Sequence, residues 1–132
     1  VLGISGRLVK SGKEVIQAGN IIFGGSQHVA TVVLEVSKKF PDIRSAINIK
    51  YETKLIDKAK KKGLRITNYD RSKESKSSKK KENSSIAWGV SSCLKSDPPD
   101  IIYHKGDMGK EPMIIIFGND PSEVIKKILL IQ

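Results

Sequence analysis

Two apolar runs, "DIIY" at residues 100–103 and "MIIIF" at residues 113–117, have the length of strands, and only the polar residues 104–112 separate them. A parallel connection needs a crossover of a dozen or more residues, usually a helix, so this pair is expected to be antiparallel. Upstream, strand and helix patterns alternate. Residues 15–23 read as a strand with a break at Gly19-Asn20, ended by Gly24-Gly25. From His28 to Phe40, Val29, Val32, Val33, Val36 and Phe40 recur at helical steps. "RSAINIKY" (residues 44–51) alternates as a strand. Residues 52–62 form a lysine-rich helix with the stripe Leu55, Ile56, Ala59 and a stop at Gly63. "LRITNYD" is a further strand, and residues 85–94 a short helix. The closing helix, 120–131, has Asp120 as N-cap, Pro121 as first residue and Glu123 as capping-box partner. Alternation of this kind predicts an α/β fold in which helices cover a mixed sheet.

At 132 residues the chain is one domain. It opens on "VLGISGRL", inside sequence that reads as folded, which suggests the C-terminal part of a longer chain. No apolar run approaches the roughly 18 residues of a membrane span, and no signal-peptide pattern opens it. One cysteine, Cys93, excludes an internal disulfide or a cysteine-rich zinc site, so the cytoplasm is the expected compartment. Of the net charge of +10, +4 falls on residues 71–82, within a Lys/Ser-rich segment, 71–85, read as a solvated, mobile loop. A basic balance attracts nucleic acid, anionic lipid or phosphorylated small molecules alike. The loop lacks the aromatic residues that a single-strand stacking platform needs.

The turn "FGGSQH" could bind phosphate. Gly24 and Gly25 admit a close ligand, the helix start beyond Ser26 is an anion site, and His28 can give a phosphate oxygen a hydrogen bond or a proton. The alternative is a plain turn with Ser26 as N-cap and His28 on the surface. "GRLVKSGKE" (residues 6–14) is not a P-loop: five residues, not four, part Gly6 from Gly12, and Glu14 stands where a hydroxyl should hold magnesium. Arg7 within it suits a bidentate phosphate grip, or is simply exposed. In "HKGDMGKEP", Asp107 and Glu111 could hold Mg²⁺ beside a diphosphate that Lys110 neutralises; a charged hairpin loop is the alternative. His104 has no second histidine at metal-site spacing. Trp88 reads as a core anchor and Cys93 as a small buried hydrophobe.

In order, "GISGRL", "FGGSQHVA", "RSAINIKY", "YDR", "SIAWGV" and "DIIYHKGDMGKEPMIIIFGNDPSEV" resemble the ThiN-type thiamine-phosphate synthase domain, over nearly the whole chain. That domain is the C-terminal part of archaeal bifunctional phosphomethylpyrimidine kinases and is also found fused to DNA-binding domains. The resemblance implies a three-layer α/β/α sandwich around a mixed sheet, similar to class II aldolase and epimerase (AraD-like) domains. It implies condensation of hydroxymethylpyrimidine diphosphate with hydroxyethylthiazole phosphate to thiamine monophosphate and diphosphate, with Mg²⁺ as the expected cofactor. The family pattern ties Arg7 and His28 to catalysis; Asn48 and Arg71 join Gly24, Gly25, Ser26 and Lys110 as substrate- or phosphate-binding residues. The partners implied are the two phosphorylated substrates, with no nucleic acid and no membrane; a homo-oligomer is compatible.

The chemistry suits the residues: neutralising a departing diphosphate calls for cations and N–H donors rather than a nucleophile. The rivals are a non-catalytic thiamine-phosphate sensor within a transcriptional regulator and a nucleic-acid binder using the lysine run. Arg7 and His28 favour the enzyme, since sensor versions tend to lose such residues.

Overall fold

The structure, a computed structural model, describes residues 1–73 and 82–132. Its centre is a four-stranded mixed sheet in the order β5 (Ser45–Lys50), β8 (Met113–Gly118), β7 (Ile101–His104), β6 (Ile66–Asn68). β5, β8 and β7 pair antiparallel, and β6 joins β7 in parallel through a crossover containing α3 (Glu82–Cys93). The β7–β8 pair is thus antiparallel, as its short polar connection requires. β8 lies between two partners and is apolar on both faces: Ile114, Ile115, Ile116 and Phe117 are fully buried. A side chain of this size contributes about 1.5–3 kcal/mol when it leaves water.

The strands' period of two sorts the core into two clusters. Ile102, Ile115 and Phe117 face α1 (Gln27–Ser37) and α3, meeting Val32, Val36, Ile86 and Val90. Ile101, Ile114 and Ile116 face α2 (Thr53–Lys61) and α4 (Pro121–Ile131), meeting Ile56, Ala59, Val124 and Ile131. Trp88 packs half-buried against the first cluster and Cys93 is buried in it. Burial pushes the Cys93 thiol up to about 11, so it is inert as a nucleophile. At α4 the Asp120 carboxylate accepts from the Glu123 N–H, while Glu123 reaches back to the Asn119 N–H.

Three local expectations are corrected. Residues 15–23 are two strands with different partners. β3 (Glu14–Gln17) forms a hairpin with β2 (Leu8–Ser11), while β4 (Ile21–Phe23) pairs with β1 (Leu2–Ile4). α1 ends at Ser37, because the residues before Pro41 leave the helix in tighter turns. Residues 71–85 are not one solvated loop: Arg71–Lys73 make a buried-ended 3-10 turn, and α3 already begins at Glu82. The rest of that segment, 74–81, lies outside the described residues. No described helix is long and apolar enough to cross a membrane.

Candidate functional site

β6 and β7 finish at the same end of the sheet at which α1 begins, because α1 runs back along β5 toward Phe40 and Gly118. The turn into α1 is set by its glycines. Gly24 takes φ +73°, a left-handed value that favours glycine. The space a Cβ would fill at Gly25 is taken by the Gly3 carbonyl of β1. Ser26 holds the N-cap position without a side-chain capping bond, and His28 is half-buried in the first turn.

His104, the last residue of β7, is 1% exposed. By strand alternation it shares the α1/α3 face with Ile102. Its ring lies tilted against that of Tyr69, 5.2 Å between centroids. Its Nδ1 accepts the Gly106 N–H at 3.2 Å, so in the neutral ring Nε2 carries the proton. Burial, then the electrostatic influence of Arg71, His28 and Lys110, pushes its pKa down to about 4. The same proximity brings the chain's two histidines together, although they stand far apart in sequence.

Arg71, 4% exposed, follows β6 and donates from Nη2 to the Ser85 hydroxyl at 2.8 Å. Lys110, from the β7–β8 loop, donates to the same hydroxyl at 3.0 Å. A single buried oxygen on α3 thus gathers two cations from separate loops. Nε2 of His104 and Nε of Arg71 are buried with no hydrogen-bond partner among the described residues. A cleft of about 280 Å³ opens beside Arg71, with Asn68, Tyr69, Asp70, Tyr103, Lys105 and Gly106 completing its wall. Preorganised donors in a partly dry site are suited to phosphate oxygens.

Of the residues singled out in the sequence, His28, Arg71 and Lys110 meet here. Asn48 is exposed on edge strand β5, on the same sheet face; it stands opposite Ile115, one row inward from the row of Lys50, Met113 and His104. Arg7 lies exposed in the link between β1 and β2. Its carbonyl accepts from Ala18, and its guanidinium has no partner among the described residues. Asp107 is bridged to Lys110 through their backbones in a tight turn, and Glu111 is exposed. No group of three metal-ligating side chains exists among the described residues. These two carboxylates therefore fit only a magnesium that keeps waters and substrate phosphates as its other ligands, which is this ion's usual manner.

Sequence reasoning missed His104, Tyr69 and Ser85. The signal for His104 was present: it sits two residues after Ile102, a polar group on the core-facing side of a strand.

The larger cleft, about 480 Å³, lies at the other end of the sheet. There Asp100, 6% exposed, takes hydrogen bonds from Arg65, and Lys127 pairs with both Asp100 (2.8 Å) and Glu123 (2.7 Å). Burial raises the Asp100 pKa, but the bonds from Arg65 and Lys127 outweigh it and bring it down to about 2. Its innermost charges already have partners, so volume alone does not mark a binding site.

A family model described as "Thiamine-phosphate synthase ThiN" matches residues 1–130. The chain is 37% identical over 126 residues to a "Thiamine-phosphate synthase ThiN" of Methanothermobacter thermautotrophicus, covering 94% of this chain and 66% of that protein. It is 39% identical over 137 residues to a "Bifunctional thiamine biosynthesis protein ThiDN" of Methanocaldococcus jannaschii, covering 100% of this chain and 31% of that protein. The chain therefore spans less than two thirds of either relative. Among solved structures, one described as the "C-terminal domain of phosphomethylpyrimidine kinase" superposes with a TM-score of 0.90 at 42% identity, covering 99% of this chain and 74% of the other. A second solved C-terminal domain gives 0.86 at 36% identity, with 99% and 71% coverage.

Proposed function

The chain belongs to the ThiN thiamine-phosphate synthase family, and from that premise we propose that it joins hydroxymethylpyrimidine diphosphate to hydroxyethylthiazole phosphate. The bond from the pyrimidine methylene carbon to the diphosphate oxygen breaks, and the thiazole nitrogen forms the new bond to that carbon. Diphosphate leaves, and thiamine monophosphate remains. The observation that carries this reading is the meeting of His28, Arg71 and Lys110 around Ser85 and His104 at the start of α1. Such a reaction asks the protein to stabilise departing negative charge and to hold two substrates in register; it needs no protein nucleophile.

In this reading Arg71 and Lys110 grip the diphosphate, and His28 donates to, or protonates, its departing oxygen. Gly24, Gly25, Ser26 and Asn48 contribute the rim of the substrate pocket, and Arg7 completes the site from the link between β1 and β2. Mg²⁺, carried by the diphosphate and held near Asp107 and Glu111, would neutralise leaving-group charge. The layered fold is read as the aldolase and epimerase type. A kinase domain for the pyrimidine half is the proposed neighbour in the intact protein, in the cytoplasm.

Mixing the protein with both phosphorylated half-molecules and Mg²⁺ should yield thiamine monophosphate. His28→Ala and Arg7→Ala should each lower kcat/KM about 30- to 1000-fold, equivalent to about 2–4 kcal/mol of transition-state stabilisation. Full rates in both variants would remove these two residues from the mechanism.

A further inference from the structure

We propose that the Nε2–H of His104 and the Nε–H of Arg71 form a two-donor subsite for a phosphate or diphosphate oxyanion. The subsite deepens the function proposed above and rests on it for the ligand's identity. His104 takes part as a neutral, fixed donor that binds without transferring its proton.

Both side chains are more than nine-tenths buried, and neither nitrogen has a partner among the described residues. A buried donor left unsatisfied costs about 1–3 kcal/mol, so two such donors in one small region favour an acceptor that the described residues do not supply. Neither can act as an acceptor. A guanidinium is permanently protonated, and the Gly106 N–H occupies Nδ1 of His104, which leaves the proton on Nε2. The groups around His104 are cationic or can become so: Arg71 after β6, His28 on α1 and Lys110 in the β7–β8 loop. They discourage a second proton on the ring and attract an anion to its edge. The Tyr69 ring and the Gly106 bond together hold the imidazole in place. A fixed donor suits an oxygen whose charge grows as a bond breaks.

The test is binding of inorganic diphosphate to the protein without magnesium or a second substrate. It is followed by calorimetry and by nitrogen-detected NMR of the imidazoles. The His104 ring should show the Nε2–H tautomer throughout pH 5–8, and its Nε2 signal should move on saturation. His104→Gln, which keeps an amide donor near the Nε2 position, should bind within about threefold of the wild type, whereas His104→Phe should lose about tenfold or more. An Nε2 signal unmoved at saturation overturns the subsite, as does wild-type affinity in His104→Phe or a wild type that binds no diphosphate. If His104→Phe fails to fold, the wild-type NMR shift and the glutamine variant decide. Because no synthesis is measured, diphosphate bound through His104 without thiamine phosphate production upholds the subsite and defeats the proposed reaction. Active synthesis with His104 untouched by diphosphate does the reverse.

Discussion

The two ends of β7 hold nearly the same kinds of side chain and use them in opposite ways. At the Asp100 end, buried charge is closed on itself: Lys127 and Arg65 share one carboxylate, and Glu123 takes a further bond from Lys127. At the His104 end, Arg71 and Lys110 meet at a serine hydroxyl, and two buried N–H groups have no hydrogen-bond partner among the described residues. A charge network that satisfies itself contributes to the fold. Donors gathered without an acceptor are held against their own stability, and that cost is the usual mark of a binding site. Only three residues, Ile101–Tyr103, lie between the brace at Asp100 and the open donor at His104.

The sharpest way to break this contrast is to remove one member from each end. Asp100→Ala removes the buried carboxylate that Lys127 and Arg65 share, and should cost about 3–5 kcal/mol of stability in urea unfolding. Arg71→Met, in contrast, should leave the unfolding midpoint unchanged or raise it while diphosphate binding falls. Equal destabilisation by both would erase the distinction between the ends. A smaller effect separates them by pH. His104 is held at about 4, below its ordinary 6.5, so its share of stability is complete above pH 6.5 and is lost as pH falls toward 4. The slope is at most about 1.4 kcal/mol per pH unit. Asp100, held at about 2 against 3.8, loses its share between about pH 4 and 2. Unfolding midpoints at pH 7, 5 and 3 should therefore show two windows, and His104→Gln should erase the upper one alone. The smallest effect is expected on the β2–β3 hairpin, whose residues are all exposed. Val15→Thr, at a position 72% exposed, should change stability by about 0.5 kcal/mol or less.

The sheet and the start of α4 were largely legible in the sequence, whereas the Asp100 network was not. "MIIIF" announces a strand buried on both faces, and Asp120, Pro121 and Glu123 mark the start of α4, because such signals are local. Ribbons of three or four residues, such as β1 and β2, are too short for alternation to show, so the break at Gly19-Asn20 was read as an interruption rather than a boundary. At the site, His28 and Lys110 could be named from residue type and glycine context, and Arg71 from the family resemblance. Their meeting could not, since it depends on α3 carrying Ser85 across the end of the sheet. Arg71 looked solvated because a lysine-rich run follows it; the turn after β6 buries it nonetheless. His104 drew little notice because its partner histidine is a neighbour only in three dimensions.

Gly89 lets α3 lie directly against Tyr69. A Cβ at this point of α3 would fall within the ring of Tyr69, whose other neighbour is the imidazole of His104. One added methyl is therefore a wedge: the helix must lift from the sheet, or the phenol must swing into the imidazole. The contact between α3 and the Tyr69 ring rests on a hydrogen atom where any other amino acid would place carbon.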